Sequence, residues 1–180
     1  MNSVVDRVRP FLWPALVIAG VVIVGCSQAT WGFSDEGIGL RITGLGGVDA
    51  TAADSADAQA FFADQTHRPG LITLILGVVI FLAATLCWWK PFRANRIAVA
   101  VAAGIIVAAG VATAVWAGVV VADPARKLFD ANVIDAVDLP GPILSPGWGL
   151  ITTLVVGVIT AIGAVIAALL RWRQGVSPAQ

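Results

Sequence analysis

The segment IAVAVAAGIIVAAGVATAVWAGVVVA, residues 97–122, runs for twenty-six residues without a charged side chain. A helix of that length rises about 39 Å, more than the roughly 30 Å of a bilayer's hydrocarbon core. Residues 11–28, 71–89 and 148–170 have the same character, and Arg9, Lys90, Arg96, Pro146 and Arg171 stand at or near their ends. Working outward from these stretches, the sequence predicts an all-α membrane protein. It would be one domain, residues 1–180, folded as a four-transmembrane-helix bundle. The intervening loops, residues 29–69 and 123–146, would form a small extracytoplasmic cap containing a β-hairpin and short helices.

Composition points the same way. The chain is 58 % apolar and only 12 % charged, about half the charge of an ordinary soluble domain. Its formal net charge of zero hides a sharp division. Arg7, Arg9, Lys90, Arg93, Arg96, Arg171 and Arg173 lie on the N-terminus, the short second connection and the C-terminus, with Asp6 as the only acid, a net +6 from seven bases and one acid. The two long loops carry Arg41, Arg68, Arg126 and Lys127 against ten acids, a net −6. Short basic loops stay in the cytoplasm, so a multi-pass plasma-membrane protein with both termini cytoplasmic is expected. Arginine outnumbers lysine nine to two, and with abundant Ala, Val and Gly this is the usage of a high-GC bacterium.

Local patterns fill in the loops. Thr30-Trp31-Gly32-Phe33 and Ile38–Thr43 (residues 38–43) flank Ser34-Asp35-Glu36-Gly37, as two strands flank a turn. Gly44 to Gly47 breaks that pattern. Residues 54–65 place Ala58, Phe61, Phe62 and Gln65 on one helical face. Asp123-Pro124 is a helix start with an N-cap and a proline at N1, putting Leu128, Phe129 and Val133 on one side. Residues 139–146 are too proline-rich for helix. Trp88, Trp89, Trp172 and Trp13 are expected near the inner interface, and Trp31 and Trp148 at the outer one, where indoles favour the headgroup region. Trp116 lies deeper, either packed between helices or presented as a candidate contact for lipid or a partner.

Candidate functional positions are steric rather than chemical. Ala100, Gly104, Ala108 and Ala112 form one small-residue ridge, and Gly110, Ala114 and Gly118 another on the same helix. Gly149, Thr153, Gly157 and Ala161 repeat the spacing in the last span. Such ridges let helix backbones approach closely, either within the bundle or against a foreign helix. Cys26 lies at the outer end of the first span and Cys87 at the inner end of the second, too far apart for a disulfide. Ile23-Val24-Gly25-Cys26 also matches a bacterial lipoprotein signal, with cleavage before Cys26 and lipidation of its thiol as the alternative to an uncleaved helix.

The spans offer no carboxylate, base or nucleophilic pair, and Thr73, Thr85, Thr113, Thr152, Thr153 and Thr160 can bond their own backbones. The one histidine, His67, lies in an outer loop. No metal-ligand spacing, haem ligation pattern or phosphate loop occurs, so neither an enzyme nor a cofactor is expected. In overall plan the chain is similar to claudin-type four-helix proteins, without the paired cysteines of their first loop. By size, span layout and residue usage it also resembles small four-span actinobacterial accessory membrane proteins, such as accessory subunits of Mce-type lipid importers or of respiratory supercomplexes. The resemblance implies a non-catalytic accessory or scaffolding subunit of a bacterial envelope complex, with the lipid importer favoured over the respiratory one. The alternative is a stand-alone or oligomeric lipid-binding and transport protein. Expected partners are membrane lipids and other integral membrane proteins, not nucleic acid.

Overall fold

The computed structural model describes residues 2–34, 39–50, 66–129 and 144–175. Its elements run α1 (Asn2–Ser27), β1 (Thr30–Phe33), β2 (Leu40–Thr43), β3 (Val48–Ala50), α2 (Gly70–Trp88), α3 (Lys90–Ala94), α4 (Arg96–Ala122), α5 (Pro124–Leu128), β4 (Ser145–Pro146) and α6 (Trp148–Gly175). Three helical stretches are long and apolar enough to cross a membrane: Gly70–Trp88, Arg96–Ala122 and Trp148–Leu170. They mark the chain as membrane-spanning. The apolar part of α1, Pro10–Cys26, is shorter than these. Because α1 begins at Asn2, Pro10 and Pro14 lie inside it rather than at its start. Each removes one backbone donor from the helical ladder.

The four long helices form a ring in which α1 packs on α2, α2 on α4, α4 on α6 and α6 on α1. Successive long helices alternate in direction. The ring therefore places the start of α1, the α3 turn and the end of α6 at one end, and the sheet at the other. Burial is confined to the ring's interior: 39 % of the apolar window is buried in α2, 39 % in α4 and 28 % in α6. The remaining surface is Ile, Val and Leu, with Ile97 76 % and Val115 62 % exposed. Water would penalise so large an apolar exterior, whereas lipid solvates it.

Two glycine pairs set how closely the ring closes. A Cβ on Gly20 would lie 2.7 Å from the Phe81 nitrogen and 3.0 Å from the Gly77 carbonyl oxygen. A Cβ on Gly110 would lie 2.9 Å from the Ala161 nitrogen and 3.1 Å from the Gly157 carbonyl oxygen. In each pair the second helix is met at a glycine and at the residue four positions later. The α1–α2 and α4–α6 hairpins are thus built alike. Buried positions correspond at a shift of ninety between α1 and α4, as in Leu16 and Ile106, Gly20 and Gly110, or Ile23 and Thr113. They correspond at a shift of eighty between α2 and α6, as in Thr73 and Thr153, Gly77 and Gly157, or Ala84 and Ala164. The two hairpins thus share one pattern of buried positions and one kind of glycine crossing.

The expected hairpin is present as β1 and β2, paired antiparallel with Phe33 opposite Arg41. Two further strands, absent from the sequence reading, extend it to the order β3-β2-β1-β4. The segment from Gly44 to Gly47 does not end the sheet; it turns β2 into β3, with Gly46 at φ +83°. That left-handed backbone conformation suits glycine. Ser145-Pro146 pairs with β1 before the last helix begins; Pro146 can take this place because β4 is an edge strand. The expected helix near residues 54–65, the turn residues Asp35 to Gly37, and Val133 lie outside the described residues.

Gly20→Leu, Gly77→Leu and Gly157→Leu are expected to lower the detergent-solubilised protein's unfolding temperature. The overpacking costs about 1–3 kcal/mol or more, outweighing the roughly 1 kcal/mol of helix propensity gained. Gly104→Leu, built where no atom lies within 4 Å, should leave the unfolding temperature unchanged or raise it. Thermal unfolding followed by circular dichroism distinguishes these outcomes.

Candidate functional site: an outward helix face and the cap

The ridges on α4 have different fates. Gly110 is buried, and Ala114 and Gly118 are half-buried along the α6 side, where the first two meet Gly157. Gly149, Thr153 and Gly157 are buried, and Ala161 is half-buried. These residues are the intrachain seam. Ala100, Gly104, Ala108 and Ala112 are all exposed and face away from the ring. They step along α4 at about 6 Å intervals. The equivalent positions on α1, ninety residues earlier, are Pro10, Pro14, Ile18 and Val22. The small ridge therefore belongs to one hairpin only. Packing of the ring does not require it.

The cap is tied to the bundle by a second apolar cluster. Trp31, Leu40, Ile42, Leu128, Phe129 and Leu144 gather over Ala117 and Val120 of α4 and Leu150 of α6. Trp31, expected at the lipid interface, is instead fully buried, and its indole nitrogen donates to the Cys26 carbonyl at 2.9 Å. The indole thereby fills the centre of the cap while its one polar atom is satisfied. Trp13 is also buried, in the bundle core, whereas Trp88, Trp89 and Trp148 are exposed by 54 %, 64 % and 63 %. A chain of backbone contacts joins cap and helices. Gly70 N–H donates to the Gly44 carbonyl at 2.7 Å, Gly44 N–H to Ala29 at 3.2 Å, and Gly147 N–H to Trp31 at 2.8 Å. Side chains on Gly44, Gly70 or Gly147 would collide with backbone or with the Trp31 indole.

The two loops form a single cap. Thr66 bridges Phe129, His67 N–H donates to the Leu128 carbonyl at 2.9 Å, and the Thr66 hydroxyl donates to the Gly46 carbonyl at 3.0 Å. Asp123 caps α5 through the Arg126 N–H at 3.3 Å, as its sequence position predicts. Its side-chain contact with Arg126, 3.6 Å between exposed groups, adds little. Trp116 is half-buried against the cap cluster, and its indole nitrogen donates to the Pro69 carbonyl at 3.0 Å. Trp116 thus latches α4 to the start of α2.

Within the spans, the hydroxyls of Thr73, Thr85, Thr113, Thr153 and Thr160 donate to carbonyls three or four residues earlier. Among the described residues no buried side-chain nitrogen or oxygen lacks a partner, and no three His, Cys, Asp or Glu residues converge. Cys26 and Cys87 are both buried and not joined in a disulfide. Cys26 lies within the continuous α1, and cleavage before it would remove Trp13, Leu16, Gly20 and Ile23 from the interior.

Sequence reasoning missed the Gly20–Gly77 crossing because Gly20 has no small residue four positions away and Gly77 has only Thr73. The available signal was a single glycine in mid-span on each of two successive helices. Compared with known protein families, curated proteins and solved structures, the chain matches none.

With α1 integral to the core, the membrane-extracted chain is expected at its full 18.5 kDa. Its thiols should resist maleimide until the protein is unfolded. Intact mass spectrometry with and without labelling checks both; a species lacking residues 1–25 and carrying a lipid would establish the lipoprotein route.

Proposed function

We propose that this chain is a non-catalytic accessory subunit that braces a larger complex in a bacterial plasma membrane, using the outward ridge of α4 to dock a foreign transmembrane helix. All four long helices cross the bilayer in this reading, both termini are cytoplasmic, and the cap faces outward. The apolar part of α1 rises only about 25 Å, but α1 lies in the ring beside α2 and α6 and shares their interior. The division of charge, +6 at the end bearing the termini and −6 in the loops, supports that orientation.

One observation carries the docking role: the ridge of Ala100, Gly104, Ala108 and Ala112 is exposed along its whole length, while the positions ninety residues earlier on α1 are the bulkier Pro10, Pro14, Ile18 and Val22, of which Pro14 and Val22 are half-buried. Helices in lipid associate by close dispersion contact, and a small-residue face lets a partner backbone approach. The intrachain ridges already serve that purpose between α4 and α6. The cap adds an ordered surface for components outside the membrane. Among envelope machines, the resemblance in size and layout favours an Mce-type lipid importer.

Gly104→Leu combined with Ala108→Leu is expected to release the partner during affinity purification from native membranes in mild detergent, at least tenfold by quantitative mass spectrometry. The unfolding temperature of the purified variant should not fall. Undiminished recovery of the complex with the double variant, or a wild-type chain that purifies alone, would overturn the proposal.

A further inference from the structure

The chain segments at the end of the bundle opposite the cap are rich in basic residues. Alternation of helix direction brings together the start of α1, the turn between α2 and α4, and the end of α6, and with them Arg7, Arg9, Lys90, Arg93, Arg96, Arg171 and Arg173. Asp6 is the sole acid in these segments. The turn itself holds three of the bases within seven residues, beside the exposed Trp88 and Trp89 and the exposed Arg96.

This turn is fixed at both ends. Trp89 N–H donates to the Thr85 and Leu86 carbonyls at 3.1 and 3.2 Å. Phe92 is half-buried against the bundle core. The Asn95 side-chain oxygen accepts from Ile97 and Ala98 N–H at 3.1 and 3.2 Å, capping α4. The backbone that carries Lys90, Arg93 and Arg96 is therefore a short helix and the capped start of α4, held at both ends, not a free loop. A basic cluster beside a span attracts anionic lipid. Guanidinium groups bind phosphate with paired donors, and tryptophan rings settle among headgroups.

We propose that the turn at residues 88–96 is a binding site for the headgroups of anionic phospholipids, selecting phosphatidylglycerol-type lipid over zwitterionic lipid. This site rests on the membrane-spanning reading but is independent of the docking role of α4. The orienting effect of basic residues acts during insertion and requires no lipid selectivity in the mature protein, so selectivity separates the two.

The purified full-length chain, reconstituted in phosphatidylcholine bilayers, would be titrated with brominated phosphatidylglycerol or brominated phosphatidylcholine while tryptophan fluorescence is read. Phosphatidylglycerol is expected to be preferred by at least about fivefold, the preference shrinking as salt is raised. The Lys90→Gln, Arg93→Gln, Arg96→Gln triple variant should lose it, and Arg126→Gln with Lys127→Gln at the cap should keep it. Equal quenching by both lipids in the wild-type chain, or a preference indifferent to salt, would overturn the site without need of any variant. Loss of preference in the cap variant would overturn it as well.

Discussion

The close approach of backbones at Gly20–Gly77 and Gly110–Gly157 is the constraint on which the rest of the molecule depends. Within a bilayer, apolar side chains gain nothing from leaving lipid for one another, so helices hold together through dispersion at short range. The two crossings bring helix backbones near enough for a Cβ to clash with a main-chain nitrogen. They create two tight hairpins, and the same interior positions then serve both halves of the ring. Residues such as Ile80, Ile106 and Ala164 are fully buried because the crossings draw the helices around them.

The cap follows from the same economy of space. Gly44, Gly70 and Gly147 let irregular backbone run against helix starts, and their N–H groups find carbonyls there. Backbone polar groups near the apolar region must be satisfied internally. Trp31 and Trp116 complete this arrangement, each placing its single donor on a carbonyl at a helix boundary. The two long loops are thereby joined to the bundle and to each other.

The proposed docking role draws on what the two hairpins do not share. Equivalent interior positions are explained by packing alone. The positions of α1 and α4 outside the shared buried set differ: half-buried Pro14 and Val22 and exposed Ile18 on one, exposed Gly104, Ala108 and Ala112 on the other. The threonine hydroxyls are engaged by their own helices. Charge is likewise displaced to the two ends of the bundle.

Much of this was legible in the residues. The apolar runs located α2 and α4 to within a residue and α6 at its start, its end lying five residues further on at Gly175; residues 30–33 and 38–43 were readable as a hairpin, its second strand observed from Leu40, and Asp123-Pro124 as a helix start. Each signal is local: hydrophobic length, alternation or a cap. The strands β3 and β4, the burial of Trp13 and Trp31, and the division of α4 into an intrachain face and an outward one were not legible. Those depend on which distant segments meet: Ser145 needs Phe33, Trp31 needs Cys26, and Gly110 needs Gly157. The sequence by itself determined that lipid is the solvent and where its helices run, because those follow from residues near in the chain. Only the tertiary structure decided which small-residue ridge closes the bundle and which is left outside, because helix periodicity defines faces but not their neighbours.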